Sequence, residues 1–359
     1  MKVFISTGEL SGDIYARRVS EVWSRRRSID FVGMAGPQAH LPQCRPNDAL
    51  HLMGFSGVVS ALPRLLALKK ALARQCIEEK PDLAILVDSP DFHLPLLKDL
   101  RCGGYQGPVV YLCPPTVWAW RAGRAEKLRR YQACCVTLFD FEALALQNLG
   151  VEAHWFGHPL LDEDLTSWAQ GDAMRKGAVA LLPGSRKSEI KALLPLLIQV
   201  AQGLKERGYE PFVSQAPHLS PEVCRFFDVL PSWLAVDRLG GRHSLAVCDF
   251  ALGASGTLAT EALLLGKPMA VLYQGTALER FIFKYFVKTP YVSVPNILAQ
   301  GEIYPEFLGP DCRLDALLEW VDDLPARRGE VEGAISRAQK KLGQKGVVDR
   351  WVDLMEQLV

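Results

Sequence analysis

The strongest constraint on the fold is a series of short, uninterrupted apolar runs, each followed by a glycine or polar residue and then by a helix-length segment. Leu83-Ala-Ile-Leu-Val87, which precedes Asp88, is the clearest of them. Strands that are apolar throughout are typical of parallel sheets covered by helices on both faces. The alternation therefore predicts an α/β fold built from doubly wound, Rossmann-like sheets.

The pattern occurs twice, on either side of a polar stretch at 161–177 that we interpret as a linker. A length of 359 residues also suggests two domains. We expect a first domain at 1–165 and a second at 175–340, facing each other across a ligand cleft. The expected strands are 3–6, 31–36, 83–88, 109–113, 134–139 and 153–156, then 179–182, 210–214, 250–252 and 269–273.

Charge and cysteine usage argue against several classes of protein. A net charge of +1 without a basic run argues against nucleic acid as a partner. Nine cysteines without a C-x-x-C pair favour a reducing cytoplasm, and no Cys/His cluster has metal-ligand spacing. The start of the chain has the pattern of a strand rather than of a signal peptide, and no run of about 18 apolar residues suits a membrane span.

Two glycine-containing turns in the second half follow strands and open helices: PGSR at 183–186 and ASGT at 254–257. Free N–H groups at a helix N-terminus attract phosphate, and an arginine adds a bidentate donor. For either turn alone, a tight turn with a helix cap is the favoured explanation. Together they predict a site for a nucleotide diphosphate. The residues expected to hold it are Ser185, Arg186, Ser255, Gly256 and Thr257, and Glu261, one turn into the helix, could face a sugar hydroxyl.

Asp88 and Asp91 are the candidates for a catalytic base. Asp88 ends a buried strand, where an unpaired charge is costly without a function. A carboxylate at that position can accept a proton from a hydroxyl nucleophile. Asp91 follows Pro90, so it is also explained as a turn residue.

Further candidates follow two other strands of the first half. Glu9 and Ser11 would face the ligand after the first strand, and Ser11 or Asp13 could instead cap the next helix. Trp118 and Arg121 could stack on a sugar or contact acyl chains, or they could fill a domain interface.

Two stretches combine apolar and basic residues and suit a membrane surface. Residues 53–72 interleave Arg64, Lys69 and Lys70 with apolar side chains, and residues 281–286 contain four aromatic side chains. On pattern alone, an ordinary amphipathic helix packed on a sheet is the favoured explanation of the first stretch.

In chain order, these segments resemble the lipid A disaccharide synthase family of bacterial glycosyltransferases, which have the GT-B fold. The similar segments are GELSGD at 8–13, GMAGP at 33–37, MG at 53–54, DSPDF at 88–92, PTVWAWR at 115–121, FGHP at 156–159, LLPGSR at 181–186, ASGT at 254–257 with Glu261, and VKTPYVSVPNIL at 287–298. They span nearly the whole chain, and VWAWR and PNILA are the most specific of them.

The resemblance implies transfer of a 2,3-diacylglucosamine from its UDP donor to 2,3-diacylglucosamine 1-phosphate, through a β-1,6 linkage and with inversion. No metal or other cofactor is implied. The first domain would hold the acceptor and face the inner leaflet of the cytoplasmic membrane, with a tail at about 345–359 packing back on it. The second would bind the UDP-sugar. Members of the family can form homodimers.

The resemblance also assigns roles to single residues. Asp88 would be the base for the acceptor 6-hydroxyl, Ser11 would line the acceptor side, and Asn296 would help to close the donor site. Arg186 and the helix N-termini would offset the charge on the leaving diphosphate without a metal.

Three positions depart from the family pattern. Gly57 stands where a glutamate is usual, Gln274 where a basic residue is usual, and Gly301 where an arginine is usual. They keep alternative interpretations open: a GT-B enzyme with a soluble acceptor, a sugar-nucleotide 2-epimerase, or a degenerate homologue that only binds a UDP-sugar or a membrane.

Overall fold

A computed structural model describes residues 1–47, 58–118, 122–217, 219–274 and 290–359. Contacts within the chain define two compact units. Unit 1 comprises Met1–Asp162 and Gly343–Val359, and unit 2 comprises Glu163–Leu342. Each unit contains a six-stranded parallel sheet, as the apolar runs predicted.

The sheet of unit 1 has the strand order β2-β1-β3-β4-β5-β6. Its strands are β1 (Lys2–Thr7), β2 (Asp30–Met34), β3 (Leu83–Val87), β4 (Val109–Leu112), β5 (Ala133–Thr137) and β6 (Ala153–Trp155). The helices between them are α1 (Leu10–Arg26), α2 (Val58–Glu79), α3 (Pro90–Cys102), α4 (Gly123–Arg130) and α5 (Asp140–Gln147). Alternate strand residues enter two separate cores, so both faces of the sheet are buried.

The sheet of unit 2 has the order β12-β11-β10-β7-β8-β9. Its strands are β7 (Ala178–Leu182), β8 (Glu210–Ser214), β9 (Ala235–Asp237), β10 (Phe250–Ala254), β11 (Met269–Tyr273) and β12 (Glu306–Leu308). Its helices are α6 (Lys187–Glu206), α7 (Pro221–Asp228), α8 (Gly241–Val247), α9 (Thr257–Leu264), α10 (Val294–Ala299) and α11 (Leu314–Gln339).

The last helix, α12 (Val347–Gln357), belongs to unit 1 and packs against α1. Trp351 is fully buried and meets the ring of Tyr15 edge to face. Arg26 forms ion pairs with three carboxylates of α12. The amphipathic sequence of α12 therefore buries its apolar face against the first helix of the chain.

Three sequence predictions differ from the structure. The strands β9 and β12 were not expected, because each has only three residues and neither is fully buried. The chain passes from unit 1 to unit 2 between Asp162 and Glu163, inside the predicted linker 161–177, but this stretch is structured rather than open. Its short 3₁₀ helix, Leu165–Ala169, buries Trp168 beneath the guanidinium of Arg242, 4.7 Å from the ring centroid. The helix after β1 begins at Leu10, so neither Ser11 nor Asp13 is its N-cap residue.

Among the helices that the structure describes, none combines the length and the apolarity needed to span a bilayer.

Candidate active site

Acidic side chains follow the carboxyl ends of neighbouring strands in unit 1. Glu9 follows β1 and Asp88 follows β3. Glu142 lies in α5, the helix that follows β5. Because β1, β3, β4 and β5 are consecutive in a parallel sheet, these residues lie along one edge. This edge is where ligands bind in doubly wound sheets.

The backbone at Asp88 is held in an uncommon conformation. Asp88 and Ser89 have φ of 55° and 43°, a left-handed region that residues other than glycine rarely adopt. The Asp88 carbonyl oxygen accepts hydrogen bonds from His93 Nδ1 and the Tyr111 hydroxyl, both at 2.7 Å. Two donors thus stabilise a turn that is otherwise strained, as is common at functional sites.

The environment of Asp88 makes its carboxylate more basic. Burial is the main cause that raises its pKa, to about 6, and the nearby charge of Glu9 adds to it. A hydrogen bond from the backbone of Ser89 acts in the opposite direction. The carboxylate is therefore ionised at neutral pH and still basic enough to receive a proton.

His93 connects this turn to the core. Its ring is fully buried, and burial lowers its pKa to about 4, so the imidazole is neutral. A carbonyl oxygen only accepts, so Nδ1 carries the proton toward Asp88, and Nε2 accepts from the Ser6 hydroxyl at 2.9 Å. Ser6 and Tyr111 were not predicted to belong to this site, because they are distant from Asp88 along the chain. His93, five residues after Asp88, was not predicted either, although its short separation from Asp88 could have indicated it.

Asp91 lies in the first turn of α3 and is exposed. Its carboxylate forms an ion pair with Arg124, whose own side chain is largely buried. Asp91 is therefore exposed and engaged by a guanidinium, whereas Asp88 is partly buried directly after β3. The geometry therefore favours Asp88 of the two predicted bases.

The candidates after β1 separate into exposed and buried positions. Glu9 is exposed at the start of α1, and Ser11 is partly exposed beside it. Asp13 is fully buried and accepts hydrogen bonds from Thr7 Oγ1 at 2.5 Å, Gly36 N at 2.9 Å and Asn47 Nδ2 at 3.1 Å. Asp13 Oδ1 therefore joins α1 to the segments after β1 and β2, whereas Oδ2 is buried without a hydrogen-bond partner in the described residues.

Trp118 is linked to a carboxylate that the sequence analysis did not single out. Its Nε1 donates to Glu142 Oε1 at 3.2 Å, and its ring meets Phe141 edge to face. Burial raises the pKa of Glu142 to about 7, against the opposing effect of hydrogen bonds from Trp118, Phe139 and Leu138. Arg121, the partner predicted for Trp118, lies outside the described residues.

The two glycine-containing turns of unit 2 line one cavity of about 320 Å³. Its lining includes five of the predicted residues: Ser185, Arg186, Ser255, Gly256 and Thr257. Because β7 and β10 are neighbours in the sheet, the helices that follow them, α6 and α9, begin side by side at its edge. Gly184 and Gly256 have φ of 94° and 131°, so both turns use conformations that favour glycine.

The electrostatics of this cavity suit an anion. Two helices begin there, and the N-terminus of each carries a partial positive charge. At α6 the backbone N–H of Arg186 donates to Glu189 Oε2 at 3.4 Å, so a diphosphate would replace that carboxylate. The Arg186 side chain is exposed, and its Nη1 lies 3.0 Å from Glu189 Oε1. That surface ion pair is weak, so Arg186 can exchange it for a diphosphate.

Two predicted donor contacts lie outside this cavity lining. Glu261 is buried and accepts from Arg242 Nε at 2.8 Å. Burial raises its pKa, while Arg242 acts to lower it. Asn296 is also buried, and its amide is fully used: Nδ2 donates to Tyr304 O and Glu306 Oε1, and Oδ1 accepts from two backbone N–H groups. Its role is to fix the loop before β12, and it has no hydrogen-bonding capacity left for a donor.

The departures from the family pattern differ in their structural cost. Gln274 Nε2 lies 3.4 Å from Cys312 O, so it is tied to its own unit. A Cβ atom at Gly301 would meet nothing within 4 Å, so a larger side chain would fit there. Gly57 lies outside the described residues.

One group in the described part of the chain could hold a metal ion. Potential ligand atoms of Cys134, Glu152 and His154 all lie within 4.8 Å of one another. Cys134 is near the beginning of β5, whereas Asp88 follows the end of β3, so this group is not on the same edge of the sheet. Burial raises the pKa of the Cys134 thiol to about 12, so a metal would have to displace a tightly held proton.

Solved structures with the same two-sheet architecture are enzymes of the GT-B fold. UDP-GlcNAc 2-epimerase from Neisseria meningitidis bound to UDP-GlcNAc aligns with a TM-score of 0.63 and 13% identity, covering 99% of this chain and 100% of that chain. MurG from Acinetobacter baumannii aligns with a TM-score of 0.58 and 13% identity, covering 99% of both. At this identity the likeness shows the fold alone, and the fold class is GT-B.

The sequence matches define the family. The family model described as Lipid-A-disaccharide synthetase matches residues 3–325. Lipid-A-disaccharide synthase of Azotobacter vinelandii is 34% identical, covering 99% of this chain and 98% of its own length. The synthase of Pseudomonas savastanoi pv. phaseolicola is 36% identical, covering 99% and 97%. The chain belongs to the lipid-A-disaccharide synthase family and is thus a glycosyltransferase, as the sequence motifs predicted.

Proposed function

We propose that this protein transfers a 2,3-diacylglucosamine from UDP to the 6-hydroxyl of 2,3-diacylglucosamine 1-phosphate, forming the β-1,6-linked disaccharide 1-phosphate and UDP. The observation that carries the proposal is the cavity of unit 2, where both predicted phosphate turns meet. The partly buried carboxylate of Asp88 in unit 1 supplies the base that such a transfer needs.

The diphosphate of the donor binds at the N-termini of α6 and α9. Backbone N–H groups there and the guanidinium of Arg186 stabilise the negative charge that grows on UDP as the bond between the sugar and the diphosphate breaks. Ser185, Ser255 and Thr257 add hydroxyl donors. Glu261 and Asn296 act indirectly: one anchors α9 through Arg242, and the other fixes the loop before β12.

Asp88 accepts the proton of the acceptor 6-hydroxyl. The oxygen then attacks the anomeric carbon from the side opposite UDP, and the electron pair of the broken bond leaves on the diphosphate. One displacement inverts the configuration and gives the β linkage. The proton stays on Asp88 until solvent removes it, which its pKa of about 6 allows at neutral pH.

The acceptor is a lipid, and we propose that the protein meets it at the inner face of the cytoplasmic membrane. The first turns of α2 support this, because Leu62 and Leu66 are 50% and 45% exposed and Arg64 and Lys70 are exposed beside them. Exposed apolar residues flanked by cations suit an anionic lipid surface. The second predicted membrane segment, 281–286, lies outside the described residues.

Release of UDP tests the proposed reaction against its alternatives. We expect UDP from the diacylated donor only when 2,3-diacylglucosamine 1-phosphate is present, at a rate that EDTA does not change. An epimerase would convert the donor without the acceptor, and a degenerate homologue would bind it without turnover. Acceptor-independent consumption of the donor, or binding alone, would therefore contradict the proposal.

His93 is expected to position Asp88. His93→Leu removes the donor to the Asp88 carbonyl, so the turn should relax, with kcat about 10- to 100-fold lower and KM little changed. His93→Asn keeps an N–H group close to the place of Nδ1 and should recover part of the loss.

The pH dependence separates positioning from stability. In His93→Leu the acidic limb of kcat/KM should move away from pH 6, because the surroundings of Asp88 change. If His93→Leu lowered the melting temperature but left kcat and the pH profile per folded molecule unchanged, His93 would only stabilise the core and would not position Asp88.

A further inference from the structure

Besides the cavity of unit 2, a cavity of about 510 Å³ lies in unit 1, between the helices α2, α3 and α4. Its charged lining consists of Lys69, Lys98, Asp99, Glu126, Lys127 and Arg130. None of the acidic residues at the strand ends, Glu9, Asp88 or Glu142, lines this cavity.

The charges of this cavity are unbalanced. Asp99 is paired with Lys69 at 2.8 Å, and Glu126 is paired with Arg129, which does not line the cavity, at 2.9 Å. Both acids therefore already have a basic partner, and the four basic against two acidic side chains of the lining leave a net charge of +2.

Three cations remain. In the described ranges, no carboxylate forms an ion pair with Lys98, Lys127 or Arg130. The guanidinium of Arg130 lies over the ring of Tyr131, and this contact does not neutralise its positive charge. Three uncompensated cations around one concave surface attract a phosphate group.

An exposed apolar stripe leads to this cavity along α2. Leu62, Leu66 and Lys69 are spaced i, i+4 and i+7, so they share one face of the helix. The two leucines are about half exposed, and Lys69 lines the cavity. A lipid that carries a phosphate next to acyl chains could contact both the basic cavity and the exposed leucines. A free anion would contact the cavity alone.

We propose that this cavity binds the phosphate of an anionic phospholipid while Leu62 and Leu66 enter the acyl region. The inference rests on the proposed attachment to a membrane surface and adds a headgroup site to it. The site selects membranes that contain anionic lipid and holds α2 against them.

The test compares two variants of equal charge by vesicle sedimentation. Lys98→Gln/Lys127→Gln/Arg130→Gln removes the three cavity cations, and Arg25→Gln/Lys80→Gln/Lys345→Gln removes three exposed cations of unit 1 elsewhere. On vesicles of phosphatidylcholine with phosphatidylglycerol, the cavity variant should bind on the order of 100-fold more weakly than wild type, since each basic residue near an anionic surface contributes roughly a fivefold factor. The control variant should stay within about threefold.

An equal loss of vesicle binding in both variants would show that only the total charge matters and would overturn the proposed headgroup site. If inorganic phosphate binds the cavity in calorimetry as tightly as the vesicles do, the occupant is a soluble anion and the lipid assignment is wrong. Disaccharide synthesis with detergent-dispersed substrates should keep its wild-type kcat in the cavity variant. Wild-type protein that binds these vesicles but makes no disaccharide would refute the proposed reaction and leave the headgroup site standing.

Discussion

Asp88→Asn is expected to lower kcat for disaccharide formation by about 100- to 10,000-fold, the usual contribution of a general base. Binding of UDP should be unchanged, because the cavity with the phosphate turns lies in unit 2. Asparagine tolerates the left-handed backbone at this position better than most residues, so the turn should persist. Single-turnover kinetics together with UDP titration would measure both effects.

The pH dependence of the same variant provides a second test. The wild-type kcat/KM should fall tenfold per pH unit below about pH 6, because only ionised Asp88 accepts a proton. Asp88→Asn should lose this limb. If Asp88→Asn kept most of its activity while Asp91→Asn lost it, the base would be Asp91.

The raised pKa of Asp88 also predicts a change in stability. Its pKa in the folded protein exceeds the unfolded value of about 4, so the stabilisation from its protonated form is complete below pH 4 and is lost as the pH rises through 6. At pH 7 the ionised carboxylate therefore destabilises unit 1. Asp88→Asn should be more stable than wild type there by roughly 1–3 kcal/mol in urea unfolding. Equal stability at pH 7 would mean that the carboxylate is not desolvated.

Gly256→Ala is expected to raise KM for the UDP-sugar by about 10- to 100-fold, with a smaller effect on kcat. The new methyl group has open space, but φ at this position is 131°, which an alanine adopts only with strain of about 1–3 kcal/mol. The turn should relax and move the N–H groups that open α9 away from the diphosphate.

Gly301→Ala is the matched control. It too meets nothing within 4 Å, and its φ lies outside the left-handed range. The control should keep wild-type KM. Equal donor affinity in both variants would show that the turn at Gly256 does not hold the diphosphate.

The sequence predicted the sheets and the phosphate turns because both follow from local patterns. In the described part of the chain, ten of the twelve strands were expected from the sequence, and every residue of PGSR and of ASGT lines the unit 2 cavity. The GT-B fold is confirmed by the solved structures. The ligand cleft, the domain roles and the roles of single residues stay predictions.

The remaining features depend on contacts between distant residues. Asp13 was predicted as a ligand contact, and the structure places it in the core, where Thr7 and Gly36 donate to its Oδ1 while its Oδ2 has no hydrogen-bond partner among the described residues. Asn296 resembled a donor contact, but the loop before β12 uses its whole amide. Glu142 and His93 belong to no motif that was recognised in the sequence. Only the structure shows that Glu142 accepts a hydrogen bond from Trp118, and that His93 and Tyr111 donate to the same carbonyl oxygen of Asp88.

Incubation of the purified protein with UDP-2,3-diacylglucosamine and 2,3-diacylglucosamine 1-phosphate is the most direct test of the central claim. Mass spectrometry and proton NMR of the lipid product would identify it. We expect one β-1,6-linked disaccharide 1-phosphate for each UDP released, and loss of this product in Asp88→Asn. Recovery of both substrates unchanged, beside an active member of the family under the same conditions, would contradict it.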